Sequence, residues 1–129
     1  DDVWGEPDGK EDFLVIKISK NGKIEWKRRF GGSESEFSGD IYTAKDGTYW
    51  MVGTTLSSDK DIKGHIGGFD LALLRISKDG MLLEEKTIGT MNDDFYLKII
   101  KNKDCLIIAS YNQISKYISY PVIFIVSNK

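Results

Sequence analysis

The sequence predicts an all-β fold, because a strand-and-turn unit repeats along it, its strands alternate apolar and polar residues, and no segment keeps a helical period. Residues 12–26 contain an apolar strand, an Asn-Gly turn and the start of an alternating strand. The same pattern returns at residues 70–81, and its first half returns at residues 121–127. Repetition of this kind indicates an architecture built from similar sheets.

The repeat is defined by the alignment of Asp12 with Asp70, which continues without a gap to Asp46 and Asp104. The partial third copy is shorter and aligns Ser127 with Ser77. We therefore predict a single all-β unit over residues 1–129. It contains repeat one at about 12–68, repeat two at about 69–119 and a partial third repeat at 120–129.

Each repeat predicts four strands, which in repeat one lie near residues 13–19, 23–30, 37–44 and 48–55. The first strand is apolar at nearly every position, which is typical of a strand covered on both faces. The pairs Asn21-Gly22 and Asp79-Gly80 predict type I′ hairpin turns. We expect the 56–68 loop to shrink to a short segment around 112–120 in the second repeat.

The predicted fold is two four-stranded antiparallel sheets of the propeller-blade type plus one extra strand, because four-stranded units of this length are typical of propeller blades. A compact two-sheet β-sandwich is the alternative. Pro121 lacks an N–H and is expected at the start of the extra strand.

The order of motifs resembles the bacterial propeller-like repeats that are common in secreted and cell-surface proteins, often in long arrays. The residues that carry the resemblance are Asp12-Phe13, Asn21-Gly22, Glu25-Trp26, Phe30-Gly31-Gly32, Asp46-Gly47, Val52-Gly53-Thr54, Asp59-Lys60-Asp61 and Gly67-Gly68. The resemblance covers about residues 1–90 and weakens beyond them. It implies blades of four strands, an extracellular or cell-surface location, and a non-enzymatic binding or scaffold role toward a protein or a glycan.

A propeller ring needs about four to eight blades, so two blades cannot close one. The resemblance therefore implies that the chain is part of a longer propeller or that it forms a homo-oligomeric ring. The alternative functions are a glycan-active propeller enzyme with its site formed between blades, and a calcium-stabilised structural repeat.

The composition excludes several partners. The 18 basic and 20 acidic residues are spread along the chain and give a net charge of −2, so no basic surface for nucleic acid is expected. The apolar runs are far shorter than the roughly 20 residues that span a bilayer, so no membrane insertion is expected. Cys105 is the only cysteine, which rules out an intrachain disulfide, and we expect it to be buried and inert.

The loop that contains Asp59 and Asp61 is the candidate metal site. Calcium prefers several oxygen ligands, and an Asp-x-Asp sequence is a common way to supply them. The neighbouring Lys60 and Lys63 lower the negative charge of this loop. The ordinary alternative is a solvated polar loop that binds no metal.

The acidic residues of the loop at the start of the third strand are candidates for paired catalytic carboxylates, and they are Glu34, Glu36 and Asp40 with Asp93 and Asp94 at the same position of repeat two. Their equivalent positions favour hydrogen bonding to the local backbone over catalysis. His65 is the only histidine, and we expect it to be an exposed loop residue rather than part of a Ser-His-Asp triad with Ser57 or Ser58. No catalytic residue is predicted.

Two further features are compatible with ligand binding. The aromatic residues Trp4, Trp26, Trp50, Tyr42 and Tyr49 could form a platform for a sugar if two of them were exposed together, although core packing is the commoner role. Lys17 and Arg75 occupy one repeat position on otherwise apolar strands, so that a ring of cations could bind an anion. Ile125 breaks that ring in the third copy.

Overall fold

The computed structural model describes residues 9–102 and 105–127, with the exception of the side chain of Ser38. Trp4 and the predicted partner Asp104 lie outside the described residues. The described part of the chain contains nine strands and no helix: β1 (Phe13–Ile18), β2 (Ile24–Phe30), β3 (Glu36–Thr43), β4 (Tyr49–Thr55), β5 (Asp70–Ile76), β6 (Leu82–Ile88), β7 (Asp93–Asn102), β8 (Cys105–Ser115) and β9 (Ile118–Ser127). The prediction of an all-β fold is confirmed.

The nine strands form three antiparallel sheets. The first sheet contains β1 and β2, the middle sheet has the order β3-β4-β5-β6, and the third sheet has the order β7-β8-β9. The predicted grouping of two four-stranded sheets and one extra strand is therefore wrong, although the number of strands is right. The chain crosses from β2 to a new sheet at β3, whereas β4 pairs directly with β5 across the 56–69 loop, so each sequence repeat is divided between two sheets.

The middle sheet carries a hydrophobic core on each face. On one face the side chains of β5 pack with Phe13 and Phe30 of the first sheet, and on the other they pack with Ile99 and Leu106 of the third sheet. The side chains of β5 alternate between the two cores: Ala72, Leu74 and Ile76 point to the first, and Leu71 and Leu73 point to the second. Alternate residues of a strand point to opposite faces, so β5 has to be apolar from Leu71 to Leu74, and its ionisable residues, Asp70 and Arg75, lie toward its two ends.

Within the described residues, the first and third sheets are each covered on one face only. Leu14 and Ile18 of β1 are 36% and 59% exposed, and Ile123 and Ile125 of β9 are 57% and 69% exposed. The expectation that this type of strand is covered on both faces is therefore met by β5 and not by β1.

Corresponding hairpins in neighbouring sheets share irregularities of register. The first hairpin has a register shift at Lys17/Ile18, and the equivalent hairpin of the middle sheet has one at Arg75/Ile76. The β3–β4 pair and the β7–β8 pair likewise share a bulge at the start of their first strand. Since bulges fix local twist and register, these shared irregularities support the repeat more strongly than the apolar pattern does.

The register of the β7–β8 pair differs by one position from that of the β3–β4 pair. Ile41 lies opposite Met51, a separation of 51 − 41 = 10, whereas Ile99 lies opposite Ile108, a separation of 108 − 99 = 9. Met51 is therefore the structural equivalent of Ile108, one position earlier than the ungapped alignment places it. The ungapped alignment, which was predicted as far as Asp46 and Asp104, therefore does not extend into β8.

The extra strand completes the third sheet at its edge. The segment around residues 112–120 is not a loop, because β8 continues to Ser115 and β9 begins at Ile118. Pro121 lies inside β9 opposite Tyr111 rather than at the strand start. An edge strand tolerates this proline because its missing N–H is not needed by a second neighbour.

The tight hairpins share one turn, and it is not the predicted type I′. The N–H of Gly22 donates to the carbonyl of Ser19 at 2.9 Å, the N–H of Ser19 donates to the carbonyl of Lys23 at 2.8 Å, and Gly22 has a φ of 77°. Asn21 has no positive φ, whereas type I′ requires one at both central residues. The pattern is a three-residue loop that ends on a left-handed glycine, and it recurs at Gly47 and Gly80.

Substitution of Gly47 probes the backbone conformation of this turn alone, because an added Cβ would meet no neighbouring atom. The φ of Gly47 is 82°, and no atom lies within 4 Å of a Cβ built on it. We predict that Gly47→Ala lowers the free energy of unfolding by about 1–2 kcal/mol, because L residues with a β-carbon disfavour this conformation. Gly47→Asn should cost less, since asparagine tolerates the left-handed region. Urea unfolding with an unchanged slope measures both values, and equal stabilities of the two variants would contradict the turn assignment.

Candidate functional site

The loop between β4 and β5 is tied to the loop between β2 and β3. The two oxygens of the Asp59 carboxylate accept hydrogen bonds from the N–H and the hydroxyl of Ser33, and Asp61 accepts one from the N–H of Gly31 at 3.3 Å. Ile62 is fully buried in the first core. The loop is therefore anchored by Ile62 and by the bonds to the β2–β3 loop, while Ser58, Asp59, Lys60 and Lys63 stay exposed to solvent.

The candidate calcium ligands thus already have protein donors. Both oxygens of Asp59 and one of Asp61 point to the β2–β3 loop. Within the described residues, no group of three or more His, Cys, Asp and Glu side chains is arranged to hold a metal ion. Calcium binding at Asp59 and Asp61 stays a prediction, and the geometry gives these carboxylates a structural role.

Buried carboxylates hold the corresponding strand ends of the two repeats. Glu36 is 3% exposed and accepts hydrogen bonds from a backbone N–H of the β2–β3 loop and from the hydroxyl of Thr55. Asp94 is fully buried and accepts the equivalent bonds from Thr90 and Asn112. The acids predicted to bond local backbone therefore do so at these two positions, and their partners on β4 and β8 also occupy equivalent positions of the repeat.

His65 is exposed, as expected, whereas Cys105 is less buried than expected. The His65 side chain is 46% exposed and its Nδ1 lies 3.5 Å from Oδ2 of buried Asp70. The hydroxyl of Ser57 is buried and accepts a hydrogen bond from the N–H of Glu34. Cys105 is partly exposed at the start of β8, so the expectation that it is buried is wrong.

The predicted aromatic residues form two pairs, each beside one core. Trp26 and Tyr49 meet edge to face with their ring centroids 6.0 Å apart, and both pack against the first core. Trp50 and Tyr42 are cross-strand partners that pack against the second core. All four rings are partly buried and pack against a core, and their stacking on a sugar stays a prediction.

Trp50 and Tyr42 instead form one wall of a cavity of about 520 Å³ between the middle and third sheets. The wall is one row of successive cross-strand partners across the middle sheet, namely Tyr42, Trp50, Arg75 and Glu84. The third sheet faces this row with the cross-strand row of Lys101, Leu106 and Val126.

Two cations in the cavity are held by the aromatic rings. The guanidinium carbon of Arg75 lies 5.6 Å from the centroid of Trp50, and the ammonium of Lys101 lies 4.7 Å from the centroid of Tyr42. Cation–π contacts of this kind position a cation while leaving N–H groups for another acceptor. The rings therefore present charges to the cavity, which is a different use from the predicted stacking on a sugar.

Asp46 orients Arg75 from the β3–β4 turn. A guanidinium nitrogen of Arg75 lies 2.8 Å from the Asp46 carboxylate. Hydrogen bonds from the hydroxyl and the N–H of Thr48, together with Arg75, lower the pKa of Asp46 below its usual value. The carboxylate thus stays ionised at neutral pH and keeps the guanidinium over Trp50.

The cavity has an excess of positive charge. Its lining contains four cationic side chains and two anionic ones, 4 − 2 = +2, and they are Lys45, Arg75, Lys86 and Lys101 with Asp46 and Glu84. The protein as a whole has a net charge of −2. A concave, partly apolar cavity that opposes the overall charge favours a small anionic ligand.

The residues at the repeat position of Arg75, which are Lys17 and Ile125, are not in this cavity. Lys17 lies on the equivalent face of β1 and pairs with Glu25 at 2.7 Å, which raises the pKa of Lys17. Ile125 is exposed on the outer face of the third sheet. Sequence reasoning thus selected Arg75, Trp50 and Tyr42 separately, but their assembly with Lys101 depends on how two sheets stack.

The comparisons with known proteins identify no relative: no protein-family model matches the chain, and no curated protein sequence matches it significantly. Within the described residues, no helix is long and apolar enough to cross a membrane. The site is therefore interpreted from its own geometry.

The link between Asp59 and Ser33 predicts a pH-dependent contribution to stability. Hydrogen bonds from Ser33 lower the pKa of Asp59 in the folded protein below its ordinary value of 3.8. The stabilisation is therefore fully present above that value and is lost as the pH falls through the lower folded pKa. We predict that Asp59→Asn is less stable than the parent protein at pH 7 and that the difference shrinks below pH 3.8.

Thermal melts over this pH range measure the effect. Asp79→Asn, in an exposed turn, is the control and should show no such convergence. A stability difference for Asp59→Asn that is constant with pH would contradict the role of the ionised carboxylate.

Proposed function

We propose that the chain is a non-enzymatic binding module built from propeller-type sheets, on an extracellular or cell-surface bacterial protein, and that it binds an acidic glycan in the cavity between the middle and third sheets. The observation that carries the proposal is the pair of cations held over aromatic rings, Arg75 over Trp50 and Lys101 over Tyr42. A carboxylate or sulfate on a sugar could accept hydrogen bonds from both cations.

Serial stacking of similar sheets supports the propeller-type interpretation. A two-sheet sandwich has one core between its two sheets, whereas this chain has a core on each face of its middle sheet. The middle sheet is a four-stranded meander in chain order, which is the strand order of a propeller blade. The first and third sheets repeat parts of that order.

The size and lining of the cavity favour a sugar acid over an extended protein segment. A volume of about 520 Å³ lies within the range of pockets for small ligands. The charged groups are combined with the apolar Leu106 and Val126, so the lining can contact both the ring carbons and the acidic group of a saccharide.

A glycan-active enzyme is the alternative, and the charge pairing of the acids argues against it. The two carboxylates that line the cavity come from the β3–β4 turn (Asp46) and from β6 (Glu84), and each pairs with a cation, Arg75 and Lys86 respectively. Glycosidases need one carboxyl group with a raised pKa as the general acid. The pKa of Asp46 is instead lowered.

The test is binding of a galacturonic acid oligomer to the 129-residue chain by calorimetry. We predict that Lys101→Gln weakens binding roughly tenfold or more, because a hydrogen bond to a charged group contributes about 1.5–3 kcal/mol. Binding should also weaken as salt is added, since part of the attraction is between charges. A neutral galactose oligomer of the same length should bind poorly.

Lys17→Gln is the matched control, because Lys17 occupies the repeat position of Arg75 outside the cavity, and it should leave binding unchanged. Preference for a poly-glutamate peptide over the galacturonic acid oligomer would point to a protein partner. Hydrolysis of the oligomer would support the enzyme, and equal binding by Lys101→Gln and the parent protein would contradict the proposed site.

A further inference from the structure

A second, smaller cavity lies beside the edge of β1 that no described strand occupies. It has a volume of about 260 Å³, and its lining comes from β1 of the first sheet and from β3 and β4 of the middle sheet. In the part of the chain that the structure describes, β1 pairs with β2 only. Its structural equivalent β5 pairs with β6 on one side and with β4 on the other. The cavity therefore lies next to the edge of β1 that corresponds to the β4-paired edge of β5 in the middle sheet.

The residues that line this cavity have structural equivalents in the next repeat. There the corresponding space is filled by a side chain of β4. Three of its residues are Val15, Ile41 and Met51, and their structural equivalents in the next repeat are Leu73, Ile99 and Ile108. Those three equivalents cluster with Val52 of β4 in the second core. If a strand lay beside β1 as β4 lies beside β5, its residue in the position of Val52 would enter the smaller cavity.

Exposure supports the comparison. Ile41 is 48% exposed, whereas its equivalent Ile99 is 8% exposed. Leu73 is fully buried, whereas its equivalent Val15 is only partly buried. Ile99 and Leu73 are more buried than their equivalents because β4 covers the second core. A covering strand at β1 would bury Ile41 and Val15 in the same way.

We propose that this edge of β1 binds an extended segment of a partner polypeptide, antiparallel to β1, with a branched aliphatic side chain inserted between Val15, Ile41 and Met51. The backbone of the segment pairs with β1, and alternate apolar side chains enter the cavity, which is the geometry of strand addition at a sheet edge. The register follows from the middle sheet: Val52 lies opposite Leu73, so the inserted residue lies opposite Val15.

A strand of the β4 type is not available from a second copy of the described fold. In the described part of the chain the strands at this position of the repeat are β4 and β8, and each is paired on both sides, β4 with β3 and β5, and β8 with β7 and β9. Neither strand can leave its sheet without exposing the second core. A partner polypeptide with a strand of the β4 type satisfies the site without that cost.

The probe is a synthetic peptide with the sequence of residues 48–56, labelled for fluorescence anisotropy and added to the full 129-residue chain. We expect saturable binding, and we expect it to weaken at least roughly tenfold when the peptide carries Val52→Asp, because burial of one aliphatic side chain contributes about 1.5–3 kcal/mol. The protein variant Ile41→Lys should weaken binding to a similar extent.

Ile100→Lys is the matched control. Ile100 is 50% exposed and lies on β7 of the third sheet, so the same substitution away from the cavity should leave binding unchanged. Near-ultraviolet circular dichroism checks that both variants keep the parent fold. Because Ile41 does not line the larger cavity, this proposal and the glycan proposal can fail separately.

Three results would overturn the proposal. The first is absence of peptide binding to the parent protein, and the second is binding that Ile41→Lys does not affect. The third is a dimer of the parent chain that Ile41→Lys dissociates, which would assign the edge to a second copy. Loss of binding with Ile41→Lys but not with Ile100→Lys, in a monomeric protein, would support it.

Discussion

Burial of β5 on both of its faces is the constraint on which the rest of the structure depends. The strand contributes Ala72 and Leu74 to one core and Leu71 and Leu73 to the other, so it joins the first and third sheets through the middle one. Each fully buried aliphatic side chain contributes about 1.5–3 kcal/mol. A polar residue at any of these positions would be buried without partners, and therefore the strand is apolar on both faces from Leu71 to Leu74.

The same stacking creates the candidate site. The row of Tyr42, Trp50 and Arg75 lies at the end of the face that packs on the third sheet, where the apolar contact gives way to charged side chains. Cations are thereby held between two rigid sheets rather than on loops. The rings fix their positions, which lowers the entropy that a ligand would have to remove on binding.

The sequence allowed prediction of the strands, their antiparallel order within hairpins and the structural use of Glu36, because these follow from local alternation and turn residues. It did not allow prediction of the sheet boundaries. The sequence repeat has the same period whichever of its strands begins a sheet. A sheet of β3 to β6, in which β4 pairs with β5, therefore could not be distinguished from a sheet of β1 to β4. The larger cavity was missed for the same reason, since Lys101 reaches Tyr42 only across stacked sheets.

Nuclear Overhauser contacts in the isotopically labelled protein test the division of each repeat between two sheets most directly. The structure predicts cross-strand contacts between Gly53 and Ala72 and between Val52 and Leu73. Cross-strand contacts between β2 and β3, with none between β4 and β5, would show that each sequence repeat forms its own sheet and would contradict the account.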